Sequence, residues 1–325
     1  MPENNQYSIQ AVVHDDFMGV NRCIRAQLHS DVALIKQIGH HIIQSGGKRL
    51  RPLLVLLTAK ACQYKGNEHI PLAVVIEFLH TATLLHDDVV DESDLRRGQD
   101  TANNVWGNAP SILVGDFLYS RAFQMMVSLQ ETDILHVLAK ATNVIAEGEV
   151  MQLLNIHNTE ATEAGYMDVI RSKTAMLFQA SSQTAAILAG GSAPLRQNMA
   201  EYGNNLGIAF QLIDDVLDYN GDAEVMGKNL GDDLSEGKPT LPLIYTLQYG
   251  SSVQKRQVRE AIEQGCRDNI DVIADAVRDC GALEYACQRA RHFALQAKNC
   301  LAVLPDSPYR DAMAKLAQFA VARGI

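Results

Sequence analysis

The sequence predicts an all-α protein, a single large helical bundle over residues 1–325, and three observations support this prediction. Apolar residues recur at helical spacing over long segments. These segments are rich in Ala, Leu, Gln, Met and Glu, which favour helices, whereas alternating runs of β-branched residues, which favour strands, are scarce. No linker rich in Pro, Ser or Gly divides the chain, and its length is compatible with one large domain.

The predicted helices follow one another along most of the chain. Near the start, the pattern is interrupted where Ser30 or Asp31 is a suitable N-cap, and Pro71 stands where a first helical turn accepts proline. A basic turn with two glycines occupies residues 46–52. The long helical patterns lie within 8–45, which holds two of them, and at 53–64, 70–91, 111–129, 132–155, 164–188 and 195–219.

Three other segments carry no long helical pattern. Residues 96–108 are predicted to form a loop. Residues 221–242 are rich in Gly, Asp and Lys and have too few apolar groups for a core element of their own, and loops of that length are usually functional or disordered. Residues 243–325 alternate shorter helical patterns with polar breaks.

The composition is typical of a globular protein, with 47% hydrophobic and 20% charged residues. The net charge of −10, without a concentrated basic segment, excludes a general nucleic-acid binder. No apolar run approaches the roughly 18 to 20 residues that span a bilayer, and residues 1–6 lack the features of a signal peptide. Six cysteines without a Cys-x-x-Cys pair favour neither a zinc site nor a disulfide framework. We therefore expect a cytoplasmic protein.

One pattern, Asp-Asp-x-x-Asp, occurs twice, at 87–91 and at 214–218. Its first and last aspartates are four residues apart and share a helix face. A single copy is as compatible with an acidic helix end on the surface as with a metal site. Both copies, however, end long apolar helices, and carboxylates without Cys or His partners suit Mg²⁺ better than zinc. Because Mg²⁺ prefers carboxylates together with substrate phosphate, two such clusters indicate a phosphate or diphosphate ligand.

Basic residues stand beside both acidic motifs as single positions near breaks. Each one alone is more often a solvated surface residue than a functional one. Their recurrence indicates two anionic subsites, one bridged by metal and one held directly by Lys and Arg. The basic residues are Lys48, Arg49 and Arg51 on the glycine turn, Arg96 and Arg97 after the first motif, Lys173 within a helix, and Lys228 and Lys238 after the second motif.

Further short motifs occur in order over nearly the whole chain. With the two acidic motifs, they are Gly-Gly-Lys-Arg-Leu-Arg-Pro at 46–52, His80, Arg96-Arg97-Gly98, Gly115-Asp116, Glu147-Gly148-Glu149, Lys173-Thr174, Phe210-Gln211, Gly227-Lys228 and Gly237-Lys238-Pro239-Thr240. In these motifs the chain resembles the trans-prenyltransferases, the polyprenyl diphosphate synthases of the all-α isoprenoid synthase family, and among them the bacterial octaprenyl diphosphate synthases. The resemblance implies a bundle with a central active-site cavity, Mg²⁺ as cofactor and a homodimer.

The resemblance also implies a role for each matching residue. The Mg²⁺ that bridges an allylic diphosphate would be bound by Asp87, Asp91 and Asp214, in a shell completed or oriented by Asp88, Asp215 and Asp218. The same diphosphate would be held by Arg96, Lys173, Thr174, Gln211, Lys228 and Lys238. The diphosphate of isopentenyl diphosphate would be held by Lys48, Arg51, His80 and Arg97.

This chemistry agrees with the residue types. The allylic diphosphate leaves as an anion and a resonance-stabilised cation remains, so catalysis requires cationic groups in a site that excludes water. The isopentenyl double bond then attacks, and we expect the departed diphosphate to take the lost proton. The residues expected to act in this reaction are Asp87, Asp88, Asp91, Lys173, Asp214 and Asp215.

Three other interpretations compete with this one. Glu77 and His80 form a Glu-x-x-His pattern, but a di-iron site needs a second copy and two further Glu, and the sequence has no second copy. A terpene cyclase could use similar metal chemistry but would not need Lys48, Arg51 and Arg97 for a second diphosphate. A non-catalytic partner subunit is disfavoured because both acidic motifs are intact. His80 itself is also compatible with a hydrogen-bonded core histidine.

Small residues before the first acidic motif bear on product length. Thr83 lies one turn before Asp87, with Ala82 beside it and Leu79 deeper. A growing chain that starts at the metal must pass them, and a Phe or Tyr there would close the pocket. The small residues predict a long tunnel and a product longer than farnesyl or geranylgeranyl. Together with the resemblance, this leads us to expect that farnesyl diphosphate is elongated to an octaprenyl product for a quinone side chain, with farnesyl, geranylgeranyl or nonaprenyl products as alternatives. Ala82 is also compatible with plain helix packing.

The expected partners are the two diphosphate substrates and a second copy of the chain. Because the product is far more apolar than the protein surface, its release could involve contact with a membrane, although no amphipathic anchor is evident.

Overall fold

The computed structural model describes residues 8–44, 47–96, 98–220, 230–265 and 269–322. Long helices form the first half of the chain, as the apolar periodicity predicts. They are α1 (His14–Gln27), α2 (Ala33–Gln44), α3 (Leu50–Ala61), α4 (His69–Val90), α6 (Asn108–Ser128) and α7 (Thr132–Leu154), with the short helix α5 (Ala102–Trp106) before α6. The long helices predicted here are confirmed, with ends displaced by at most three residues.

The second half begins with a helix that contains one wide turn. It consists of α8 (Glu163–Ile170), a π-helical turn (Arg171–Ala175) and α9 (Met176–Leu188), and it replaces the uninterrupted helix predicted over 164–188. The helices that follow are α10 (Ala193–Asn220), α11 (Asp232–Ser235), α12 (Leu241–Tyr249), α13 (Ser252–Gln264), α14 (Ile270–Asp279), α15 (Ala282–Cys300) and α16 (Pro308–Ala322), with a 3₁₀ turn at Leu301–Val303.

Two predicted loops contain regular structure. The segment 96–108 holds α5 and part of an antiparallel pair, β1 (Leu95–Arg96) and β2 (Gln99–Asp100). Side-chain bonds to the backbone stabilise it, since Asn103 Nδ2 donates to the carbonyl oxygens of Asp88 and Ser93. In the segment 221–242, α11 buries Leu234 completely. The prediction that this segment has no core element was wrong, because one leucine suffices to seat a four-residue helix.

Two clusters of buried apolar side chains stabilise the bundle. One is formed mainly by α1 to α7, α9 and α16, and the other mainly by α8, α10 and the helices α12 to α15. Helix α10 contributes to both, with Leu206 in the first and Leu212 in the second. Fully burying one such leucine stabilises the fold by about 1.5 to 3 kcal/mol. Helix α10 is therefore held firmly on both sides, and it ends with the second acidic motif.

Helix α4 is the most apolar long element. By length and composition alone its 22 residues could cross a membrane, which the sequence analysis did not expect. In the fold, 61% of the most apolar 18-residue stretch of this helix is buried inside the bundle. Helices α1, α3, α6 and α9 enclose it. A helix in such a core position needs apolar residues on most sides, so its composition is explained by burial in the bundle. Its C-terminal end carries the first acidic motif.

Candidate active site

The three aspartates of the first acidic motif have different environments. Asp87 and Asp91 are partly exposed, whereas Asp88 is buried. Consecutive helical residues diverge by about 100°, so Asp88 faces away from Asp87. There, Arg96 donates from Nε and Nη2 to Asp88 Oδ1 at 2.6 and 2.5 Å. Asp88 therefore anchors the hairpin that follows, and only its two neighbours in the motif face the open side.

The second motif at the end of α10 divides in the same way. Asp214 is partly exposed, while Asp215 and Asp218 are buried. Asp215 accepts hydrogen bonds from the Tyr166 hydroxyl and from Gln211 Nε2, the latter at 2.7 Å. Burial, and after it the negative charge of Asp233, raises the pKa of Asp215 to about 7. The Asp218 carboxylate accepts the backbone N–H of Asp233 at 3.2 Å and so fixes the start of α11.

The π-helical turn connects the two motifs. Lys173 Nζ lies 2.5 Å from Glu149 Oε2, 2.8 Å from Gln152 Oε1 and 3.7 Å from Asp87 Oδ2. The next residue, Thr174, donates from Oγ1 to Gln211 Oε1 at 2.9 Å. Two adjacent side chains of one turn thus contact Asp87 of the first motif on α4 and Gln211, three residues before the second motif, on α10.

Two glycines allow the neighbouring helices to approach this turn. A Cβ on Gly148 of α7 would lie 2.8 Å from the Lys173 backbone nitrogen, and one on Gly207 of α10 would lie 2.6 Å from the Ala175 Cα. Real Cβ atoms do not come so close to backbone atoms. A larger residue at either position would therefore displace the turn that carries Lys173.

Lys238 contacts the first motif from the segment that follows the second motif. Its Nζ lies 2.9 Å from Asp91 Oδ2 and 2.5 Å from Glu236 Oε2, with 10% of the side chain exposed. Burial alone would lower the pKa of Lys238, but the surrounding carboxylates of Asp91, Glu236 and Asp233 raise it above its ordinary value. The ammonium group therefore stays charged and meets the first motif from the side of the second.

The carboxylates opposite these lysines are held in an unfavourable environment. Burial, opposed by Lys173 and reinforced by the charge of Asp91, raises the pKa of Asp87. Burial and then the charge of Asp87 raise the pKa of Glu149 to about 7. Such a cluster is suited to a divalent cation. Among the described residues, no three His, Cys, Asp or Glu side chains converge to hold an ion alone, so phosphate oxygens or water would have to complete its coordination.

A second basic group lies between α3 and α4. Arg51 Nη1 is 3.1 Å from His80 Nε2, and because Arg only donates, His80 accepts this bond. The Arg51 guanidinium also lies over the Phe178 ring, 4.4 Å from its centroid. Lys48, in the turn before α3, is exposed and lies 5.6 Å from the Phe319 ring centroid. Arg97 and Lys228, which the sequence analysis also selected, lie outside the described residues.

A cavity of about 210 Å³ opens beside the second motif. Its walls include polar side chains of the site and the Tyr166 side chain of α8. The polar residues are Lys173, Thr174, Gln211, Asp215 and Lys238. The residues expected to limit product length are elsewhere, on α4. Leu79 and Ala82 are 2% and 1% exposed, whereas Thr83 is partly exposed and donates to the His80 carbonyl oxygen.

His86, within the first motif segment, has a packing role. Its Nε2 lies 3.2 Å from the Ile112 carbonyl oxygen and 3.4 Å from Asp116 Oδ1. A Cβ on Gly115 would collide with its ring. The Gly115-Asp116 motif therefore receives His86 and joins α4 to α6.

Several residues of the site were not selected from the sequence. Glu149 and Gln152 hold Lys173, Tyr166 holds Asp215, and Glu236 contacts Lys238. Glu149 belonged to a recognised motif but had no assigned role. Tyr166 gave no signal, because an isolated tyrosine in an apolar helix resembles a core residue.

Comparisons with known proteins identify the family of this chain. The Polyprenyl synthetase family profile matches residues 32–280. Octaprenyl diphosphate synthase of Escherichia coli (strain K12) is 53% identical over 320 residues, which cover 98% of this chain and 99% of the relative. All-trans-nonaprenyl-diphosphate synthase (geranyl-diphosphate specific) of Rhodobacter capsulatus is 44% identical over 316 residues, which cover 97% of both chains.

A solved structure shows the same fold. The polyprenyl synthase from Caulobacter crescentus CB15, crystallised with calcium and isoprenyl diphosphate, superimposes with a TM-score of 0.95 at 42% identity and covers 98% of both chains. The chain is therefore an all-α trans-prenyltransferase that belongs to the polyprenyl synthetase family.

Proposed function

We propose that the enzyme condenses isopentenyl diphosphate with an allylic diphosphate, head to tail, and releases an all-trans octaprenyl diphosphate. The observation that carries this proposal is that Lys173 and Lys238 both contact aspartates of the first acidic motif and line one cavity with Asp215 of the second. A separate Arg51–His80 pair offers a second place for an anion. The identity to an octaprenyl diphosphate synthase over nearly the full chain supports the product.

In this proposal Mg²⁺ would be held by Asp87, Asp91 and Asp214, the motif aspartates that are partly exposed, together with diphosphate oxygens of the substrate. When bound, the metal neutralises charge on the departing diphosphate. The donor set fits, since its oxygens are carboxylates, which Mg²⁺ prefers. Calcium in the related Caulobacter structure is consistent with a divalent ion. The buried carboxylates of Asp88, Asp215 and Asp218 orient the motifs through their hydrogen-bond partners.

The other residues of the site divide between the two substrates. Lys173, Lys238, Thr174, Gln211 and Arg96 hold the allylic diphosphate, and their positive charges and donors stabilise the charge that develops on it. Lys48, Arg51 and His80 hold isopentenyl diphosphate. Attack by the isopentenyl double bond forms the new carbon–carbon bond, and the proton lost afterwards passes to the departed diphosphate. No side chain needs to act as a strong base.

Product length is the finer part of the proposal. Thr83 shares the open face of α4 with Asp87, so a growing chain passes it directly. Leu79 and Ala82 are covered by protein and would act from behind this face. Farnesyl diphosphate is the proposed primer, and a quinone side chain the proposed use. A nonaprenyl product is the alternative, because a relative of 44% identity is a nonaprenyl-diphosphate synthase that is specific for geranyl diphosphate.

We also propose a homodimer that works in the cytoplasm as one domain over 1–325. Large apolar side chains are exposed on α6 and α7, and a second copy could cover them. They include Leu113 at 65%, Val127 at 63%, Val150 at 56% and Leu154 at 77% exposure. In this proposal the apolar product is released to a membrane surface, which accepts its hydrocarbon chain.

One experiment tests the proposed reaction. The purified protein is incubated with farnesyl diphosphate, isopentenyl diphosphate and Mg²⁺, and the products are identified by mass spectrometry. We expect octaprenyl diphosphate, and none with a metal chelator or after Asp87→Asn combined with Asp214→Asn. A nonaprenyl product, or one shorter than octaprenyl, would show that the proposed product is wrong. A pure protein without condensation activity would support the non-catalytic subunit, and cyclised products would indicate a terpene cyclase.

A further inference from the structure

His157, between α7 and α8, touches two other parts of the chain. Its backbone is left-handed, with φ of +59°, and its N–H donates to the Gly237 carbonyl oxygen at 2.8 Å. Its ring Nδ1 lies 2.7 Å from the Ile262 carbonyl oxygen on α13. Because a carbonyl oxygen only accepts, Nδ1 carries the proton. One residue thus joins the α7–α8 connection to the 236–240 segment and to α13.

Two glycines make room for the imidazole ring. Gly237 and Gly265 have φ of +69° and +58°, in the region that favours glycine. A Cβ on Gly237 would overlap the ring at Nδ1, and one on Gly265 would lie 2.7 Å from Cε1. The ring therefore lies directly against the backbone of both segments and sets the distance between them.

The segment that His157 contacts carries Lys238. The Gly237 carbonyl and the Lys238 N–H belong to one planar peptide unit. His157 holds its oxygen, and the Asp233 carbonyl oxygen accepts its N–H at 2.8 Å. With both polar groups of the unit held, the direction in which the Lys238 side chain leaves the backbone is fixed. That side chain ends 2.9 Å from Asp91 Oδ2.

We propose that His157 is a positioning residue that clamps the Gly237–Lys238 peptide and so delivers the Lys238 ammonium to the first acidic motif. His157 acts through Lys238 and does not itself touch substrate. The inference rests on the proposed function, in which Lys238 holds the allylic diphosphate. It predicts that His157 governs the use of the allylic substrate and leaves isopentenyl diphosphate, which other residues hold, largely unaffected.

The test compares steady-state kinetics of His157→Ala, His157→Asn and Lys238→Ala, with His136→Ala on the exposed side of α7 as control. We expect His157→Ala to raise KM for the allylic diphosphate about tenfold, with KM for isopentenyl diphosphate within about twofold of wild type. Asn adopts left-handed backbone more easily than Ala. His157→Asn should therefore give an allylic KM between wild type and His157→Ala. His136→Ala should match wild type.

A double variant separates positioning from general loss of structure. Because His157 acts through Lys238, adding His157→Ala to Lys238→Ala should change the allylic KM by less than about twofold. An equal rise of both KM values, or a full additional tenfold rise in the double variant, overturns the inference. If His157→Ala does not fold by circular dichroism, His157→Asn carries the same comparison. An effect of Lys238→Ala without any effect of His157 variants defeats this inference alone, whereas no effect of Lys238→Ala defeats the proposed role of Lys238.

Discussion

Lys238 Nζ lies 2.9 Å from Asp91 Oδ2, so a residue from the segment after the second acidic motif contacts the last aspartate of the first. A second carboxylate, Glu236, shares the same ammonium. Lys238 thus neutralises charge that would otherwise push these segments apart.

Lys238→Met should lower kcat/KM for the allylic diphosphate by about 10- to 100-fold, since a charge-assisted contact contributes about 1.5 to 3 kcal/mol. Steady-state kinetics with saturating isopentenyl diphosphate measure this change. Lys140→Met, on the exposed side of α7, serves as the matched control and should be silent. Equal effects of the two substitutions would contradict the assignment.

The first two aspartates of the first motif should respond oppositely to amidation. Asp88→Asn removes the anion that pairs with Arg96, and we expect the free energy of unfolding to fall by about 2 kcal/mol. Asp87→Asn removes a partly desolvated carboxylate whose pKa is raised, so stability should be kept or increased while activity is lost. Urea unfolding of the metal-free proteins distinguishes the two, and the reverse order would refute the division of roles.

Product length should depend on Thr83 more cleanly than on Ala82. Thr83→Phe places a ring on the partly exposed face of α4, so mass spectrometry should show shorter products from a stable protein. Ala82→Phe also shortens the product in our proposal, but its side chain is enclosed, and overpacking should cost about 1 to 3 kcal/mol of stability. Unchanged chain lengths in both variants would remove these residues from the tunnel wall.

Glu149 should make metal-free stability depend on pH. Its pKa is about 7 in the fold against an ordinary 4.5. Between these values the folded protein binds a proton that the unfolded chain has lost, so the free energy of unfolding falls as pH rises from about 4.5 to about 7. Between about pH 5 and about pH 7.5, wild type should lose about 1 to 2 kcal/mol more than Glu149→Gln.

The matched control for this pH experiment is Glu147→Gln, on the exposed side of the same helix. It should follow wild type at every pH. Parallel stability curves for wild type and Glu149→Gln would show that Glu149 titrates at its ordinary pH and would contradict the prediction.

The helices and both acidic motifs were predictable because burial imposes a regular apolar spacing and because paired carboxylates are conspicuous in a sequence. Lys173 was selected as a basic residue within a helix, and its role and that of Thr174 came from the family resemblance. Their setting in a π-helical turn was not predicted, since a wide turn leaves the apolar pattern almost unchanged. The hairpin at Leu95–Asp100 escaped prediction for another reason. Its stability comes from bonds such as Asn103 to the Asp88 carbonyl oxygen, which have no periodicity.

The partners of the buried aspartates show the same limit. The pairing of Arg96 with Asp88 was not predicted, although Arg96 itself was selected for the diphosphate. Tyr166 was not selected at all, although it donates to Asp215. Tyr166 and Asp215 are far apart in the chain, and their distance in space depends on how α8 packs against α10, which residue types do not encode locally.

The π-helical turn at Arg171–Ala175 makes the active site sensitive to the number of residues in this one helix. A regular α-helix over the same span would hold one residue fewer. Deleting a residue there would rotate α8 relative to α9 by about 100°. Tyr166 could then no longer meet Asp215 while Lys173 and Thr174 both kept their partners on α4, α7 and α10. Point substitutions preserve this register, so a single-codon deletion in the turn should be tolerated far less than most replacements of its residues.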